Sequence, residues 1–169
     1  MTLPLFDPTR YMNVYTVIFD ICNMDRSVRV DLYNSMKKCL EEHTSKLIER
    51  MRNTNSGELL SDYYRLWTVY FKGARYVDVS FMYYNRHVTG QCKSCAVGLP
   101  MTGRNECKHE GILKNVGMLV LDIWREKIME PLLQSLVSLL LQAIEHDRTD
   151  GTPMGNEHIV SGVIKSFAQ

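Results

Sequence analysis

Between residues 112 and 148 the chain repeats apolar side chains at helical spacing almost without interruption. The pattern runs through Val116, Leu119, Val120, Ile123 and Trp124, meets a single Pro131, and restarts as a leucine-dense stretch over 132–144. Apolar residues at i, i+3, i+4 and i+7 specify an amphipathic helix, and an internal proline removes one backbone hydrogen bond and bends the rod. One long helix bent once is expected. A rod of that length can bury its stripe only if other helices pack along it, so it constrains the rest of the molecule.

The remaining segments supply those helices. Asp7-Pro8 is a helix start, because aspartate can accept from the orphan amides of a first turn and proline at the first helical position forfeits no bond. From there a helix is expected to about Asn23, and a second from Asp25–Ser27 to the polar loop 53–57, with Leu32, Met36, Leu40, Leu47, Ile48 and Met51 as its stripe. A third over about 58–72 carries Leu59, Leu60, Tyr63, Leu66, Trp67, Tyr70 and Phe71, with Gly73 as its stop. A fourth runs over about 74–88. Residues 89–109 hold Gly90, Gly98, Pro100 and Gly103 without periodicity and form a long loop. After the linker 149–155 comes a short amphipathic helix over 159–167. No segment alternates as a strand would, so the fold class is all-α, with the five longer helices in one bundle and the last helix opening a further unit.

The first helix is apolar around too much of its circumference. Only Asn13, Thr16 and Asp20 share a polar side between Tyr11 and Cys22. Val14, Val17, Ile18 and Ile21 are assigned to the core, which leaves Met12, Tyr15 and Phe19 as a second stripe turned outward. Anchors at that spacing suit a groove on a partner. A central helix buried on all sides explains the same pattern.

Cys92 and Cys95, then Cys107 and His109 after eleven intervening residues, put four soft or borderline ligands in one loop. Tetrahedral zinc takes such a set, although the Cys-x-His pair is shorter than common fingers use. Three reduced thiols in a surface loop are the competing reading. The fifth cysteine makes the count odd, which argues against a disulfide framework.

Composition excludes several functions. Twenty Lys and Arg stand against 19 Asp and Glu, so no global field points to nucleic acid or an anionic membrane; a zinc-stapled nucleic-acid module remains only as an alternative built on Arg86, His87, Lys93, Arg104 and Lys108. The apolar runs are interrupted by Gln134, Ser135, Ser138 and Gln142, short of the roughly 20 residues of a membrane span, and no secretory signal opens the chain. His43, His146 and His158 stand singly on polar positions. Ser161 lacks the glycine two residues before it that a nucleophile elbow needs. Trp67 and Trp124 fall on core stripes. No catalytic residue is assigned.

Several runs resemble the cullin N-terminal region in order and spacing: residues 9–16, Tyr64-Arg65-Leu66-Trp67, residues 72–78, Asn85-Arg86-His87, the Gly117-x-Leu119-x-Leu121-Asp122-x-Trp124 run, Glu130-Pro131-Leu132, residues 144–148 and 159–167. The resemblance implies a cullin-repeat helical bundle, with residues 1–148 a first repeat lacking its first helix and carrying the cysteine loop, and 149–169 the linker and first helix of the next. It implies a truncated piece or short product, since the family's RING-holding C-terminal part is absent. It also implies a non-catalytic scaffold of a ubiquitin ligase, working in cytoplasm and nucleus. Tyr11, Met12, Tyr15 and Phe19, with Val116, Val120 and Ile123 beside them, would hold an adaptor that carries a substrate receptor. Residues 72–74, the run at 117–124 and residues 130–132 look most like the cullin-2 branch, whose adaptor is elongin C with elongin B and whose receptors are of VHL-box type. Residues 10–12 look more like the cullin-1 branch, with a Skp-type adaptor and F-box receptor. The family carries no zinc here, so that expectation rests on spacing alone.

Overall fold

A computed structural model describes residues 7–55, 57–89, 113–150 and 157–168, and among them there is helix and turn but no strand. In chain order the helices are α1 (Pro8–Cys22), α2 (Arg26–Arg52), α3 (Leu59–Ser80), α4 (Met82–Tyr84), α5 (Val116–Trp124), α6 (Glu130–Asp150) and α7 (Glu157–Ser166). Wider π-helical turns follow α4 at Asn85–Thr89 and separate α5 from α6 at Arg125–Met129.

Local chemistry accounts for most of these ends. At α1 the Asp7 carboxylate accepts from the Thr9 amide at 3.1 Å, with Pro8 in the first turn. Asn23 closes the helix, its backbone N–H and its side-chain amide both donating to the Phe19 carbonyl. Gly73 does not stop α3, contrary to the sequence expectation of a break there. A glycine inside a helix costs only about 1 kcal/mol, and the flanking Tyr70 and Ala74 are both buried, so packing carries the helix across it. The break falls at Phe81, whose φ of −92° and ψ of 10° leave the helical basin.

Pro131 leaves its mark one turn upstream. Proline has no N–H and its ring crowds the carbonyl four residues back, and the turn before it widens: the Glu130 N–H donates to the Arg125 carbonyl, five residues away. Helical structure is thus unbroken from Val116 to Asp150.

Where the sequence suggested one bundle, packing divides the chain into two compact units, residues 1–37 with 75–119 and residues 38–74 with 120–169. The helices α2, α3 and α5 give residues to both. At about 1.5 Å per residue, the 27 residues of α2 extend roughly 40 Å, longer than one small core can cover. In the first unit Ile18, Cys22, Tyr33, Tyr84, Val116 and Leu119 are buried. Tyr84, fully inaccessible, donates to the Arg29 carbonyl at 2.8 Å. The second unit is centred on Trp124, whose ring lies 4.6 Å from Tyr70, 5.4 Å from Trp67 and 5.8 Å from Tyr63. Its indole N–H reaches the Tyr63 hydroxyl, which also meets the Ser166 hydroxyl of α7. Tyr70 donates to the Val120 carbonyl at 2.8 Å. Every buried polar group in that cluster therefore has a partner, as burial requires.

The sequence expectation that no segment reaches membrane-span length is corrected by the continuity across Pro131. Val116–His146 forms a helical run of 31 residues with a mean hydropathy of 1.2 over its most apolar window, long and apolar enough to cross a bilayer. Charge argues against hydrocarbon around the first half of the run. Asp122, Arg125, Glu126, Lys127 and Glu130 sit within it, and each is costly in hydrocarbon. Its buried residues Ile128, Leu132, Leu136 and Leu140 follow one another at i+4, which is a one-sided core stripe. The adjoining flank leaves Leu133, Val137, Leu141 and Ile144 exposed.

Candidate protein-docking face

The exposed apolar surface of α1 lies in the first unit. Ile18 and Cys22, one turn apart, mark the buried line of this helix, and the remaining apolar residues fall to either side of it. Met12 (55% exposed) and Phe19 (39%) occupy one flank; Val14 (40%) and Val17 (57%) occupy the other. The assignment of Val14 and Val17 to the core is therefore corrected. The buried line runs between the two expected stripes rather than along one of them, because the neighbouring elements seat only the Ile18–Cys22 edge. Asn13, Thr16 and Asp20 separate the flanks on the solvent side, with Thr16 returning its hydroxyl to the Met12 carbonyl at 2.8 Å.

Tyr11 and Tyr15 are half-buried beside the Met12–Phe19 flank, their ring centroids 6.3 Å apart. Tyr15 thus borders the flank instead of pointing away from the core. Two residues that sequence reasoning missed complete the face. Tyr83 of α4 packs edge-on to Tyr15 at 6.3 Å and against Phe19 at 4.8 Å, and His87 of the following π turn lies 4.1 Å from the Tyr83 ring. The result is a row of rings around an exposed Met12 and Phe19. Aromatic pairs at these separations hold one another in place, so the face is set before anything binds it. The only signal for Tyr83 in the sequence was its place four residues before His87, and helical spacing alone could not tell that the pair would meet α1.

Val116, Val120 and Ile123, expected beside α1 as partner contacts, are at most 3% exposed. A side chain without accessible surface cannot touch a partner, so their contribution is corrected to core packing. On the same helix Met118 is 63% exposed.

The Cys22 thiol is pushed up by burial, against the opposing influence of Arg29, which makes it a poor nucleophile. His43 and His146 are exposed, and Trp67 and Trp124 are core. Cys92, Cys95, Cys107 and His109 lie outside the described residues. Among the described ones no cluster of three or more His, Cys, Asp or Glu is placed to hold a metal.

A second anchoring cluster fixes α5 in the same unit. Asn85 accepts from the buried Val116 amide at 3.0 Å and donates to the Asp78 carboxylate at 3.2 Å. Asn115 caps the same helix through Gly117 at 2.8 Å and Met118 at 3.3 Å. A side chain at Gly117 would force Asp78 to shift, since a Cβ would stand 2.7 Å from its Cγ.

Comparison with known proteins bears on this arrangement. Residues 5–169 match the family model described as the cullin alpha solenoid domain. Cullin-2 of Caenorhabditis elegans is 31% identical over 162 residues, covering 92% of this chain and 20% of that protein. Cullin-1 of Dictyostelium discoideum is 26% identical over 181 residues, covering 96% of this chain and 21% of that protein. Cell division control protein 53 of Saccharomyces cerevisiae is 25% identical and covers 83% of this chain. The chain spans about a fifth of the length of the first two.

Proposed function

The chain belongs to the cullin family, and from that premise we propose that it is the adaptor-holding part of a cullin-RING ubiquitin ligase scaffold, itself without catalytic chemistry. The observation that carries this reading is the Met12–Phe19 flank of α1, exposed and apolar yet braced by Tyr15 and Tyr83. A preordered apolar face on a helix is what a groove-bearing partner recognises. The preferred occupant is elongin C with elongin B, carrying a VHL-box receptor, and the likeness to a Cullin-2 supports it. A Skp-type adaptor with an F-box receptor is the second reading, supported by the likeness to a Cullin-1. In either role the protein would act in the cytoplasm and nucleus.

Calorimetric titration with elongin B–C and with a Skp-type adaptor separates the two. Met12→Ala with Phe19→Ala is expected to weaken the preferred adaptor by about 2 kcal/mol or more per truncation, while the thermal midpoint falls only by what the contact of Phe19 with Tyr83 contributes. Normal binding by the double variant, or no binding of either adaptor by the wild-type chain, would defeat the reading.

A further inference from the structure

A groove in the second unit, between α3 and α7, has a lining that the adaptor reading does not use. Its volume is about 530 Å³, within the range of roughly 300–1,000 Å³ typical of ligand sites. Tyr64, Trp67 and Phe71 of α3 supply aromatic surface, with the Trp67 and Phe71 rings 5.2 Å apart. Gly162 lets the backbone of α7 approach closely, since a Cβ there would fall 2.6 Å from Cδ2 of Tyr64. His158, in the first turn of α7, stands edge-on to Tyr64 at 6.0 Å.

The charged groups on this groove all have one sign. Lys72 and Lys165 line it, both exposed, and no aspartate or glutamate does among the described residues. Neither Lys72 nor Lys165 takes part in an ion pair among the described residues. In a chain of formal net charge +1 this is a local field and not a reflection of the whole surface. Two ammonium groups lining a groove with aromatic surface call for a ligand that joins apolar surface to negative charge. A bare phosphate would satisfy the lysines and leave the floor wet; an uncharged apolar segment would fill the floor and leave the lysines unmatched.

We propose that the α3–α7 groove binds an acidic linear peptide segment of a partner protein, seating an aromatic side chain on Trp67 and Phe71 and placing flanking carboxylates at Lys72 and Lys165. The site shares no residue with the α1 face, so the two assignments stand or fall separately.

The test uses the full chain and a fluorescein-labelled peptide, Asp-Glu-Phe-Asp-Glu, followed by fluorescence anisotropy and by the ring signals of His158 in NMR spectra. Saturable binding is expected, with His158 shifting along the same titration and the methyl signal of Met12 unmoved. Replacing the peptide phenylalanine by alanine is expected to weaken binding at least fivefold. Lys72→Glu with Lys165→Glu, which alters exposed positions only, is expected to weaken it at least tenfold with an unchanged circular dichroism spectrum. Raising salt should weaken it as well, since both charges are exposed. The proposal is overturned by equal binding of the Lys-Lys-Phe-Lys-Lys counterpart, by affinity that survives the charge reversal, by inorganic phosphate displacing the peptide completely at equal concentration, or by no saturable binding of the acidic peptide.

Discussion

Replacing Asn85 by alanine should cost more stability than removing the N-cap of the same helix. The first amides of a helix have no intrahelical acceptor, and those of the first three residues of α5 go to side-chain oxygens before the regular backbone ladder begins at Leu119. Val116 donates to the Asn85 side chain, Gly117 and Met118 to the Asn115 side chain, and Leu119 to the Asn115 carbonyl at 2.9 Å. Asn85 is only 7% exposed and the Val116 side chain beside it is fully inaccessible. Asn85→Ala therefore strands a donor that water reaches poorly, at about 1–3 kcal/mol, and also deletes the bond to Asp78, worth about 1 kcal/mol. The sum is about 2–4 kcal/mol. Asn115→Ala leaves amides nearer solvent and should cost about 1 kcal/mol, as N-cap truncations do. Urea denaturation followed by far-ultraviolet circular dichroism reads the difference. With a slope of about 2 kcal/mol per molar, the midpoint should fall by about 1–2 M for Asn85→Ala and about 0.5 M for Asn115→Ala. Hydrogen exchange should accelerate at the Val116 amide in the first variant. A midpoint for Asn85→Ala within about 0.2 M of wild type, or above that of Asn115→Ala, would refute the reasoning that this side chain is the acceptor that matters.

Two glycines offer opposite outcomes. Gly162→Ala should destabilise by about 1–3 kcal/mol through the clash with Tyr64, and Tyr64→Ala in the same chain should recover part of that loss in a double-mutant cycle. Gly73→Ala, where a Cβ meets nothing within 4 Å inside a continuous helix, should stabilise by about 0.5–1 kcal/mol in the same denaturation assay. At alkaline pH, burial holds the phenols of Tyr63, Tyr70 and Tyr84 above the ordinary tyrosine value. A raised folded value gives stability that is complete below the unfolded value near about 10 and is lost as pH climbs beyond it. Absorbance at the tyrosinate band should accordingly show these three ionising together with unfolding; ionisation of all nine tyrosines while the helical signal persists would contradict their burial.

The sequence by itself determined the elements and the family. Apolar residues at helical spacing from Val116 onward, Asp7-Pro8 as a helix start, and the runs around Trp67, Asn85 and Trp124 sufficed for an all-α chain of the cullin type, because local hydrogen bonding and periodicity are properties of neighbouring residues. Breaks were less legible. Gly73 carries a stop signal in isolation, but burial of Tyr70 and Ala74 outweighs a cost of about 1 kcal/mol, and the chain turns at Phe81 instead. The sides of α1 were decided only by the tertiary structure. Periodicity shows how much of a helix is apolar and cannot say which line the neighbours will seat, so Val14 and Val17 emerged exposed while Tyr83 and His87 joined Tyr15 and Phe19 from across the unit. The groove at Lys72 and Lys165 depended on tertiary structure for the same reason. Those lysines are 93 positions apart in the chain, and only the close approach that Gly162 permits between α7 and Tyr64 brings their charges to one aromatic floor.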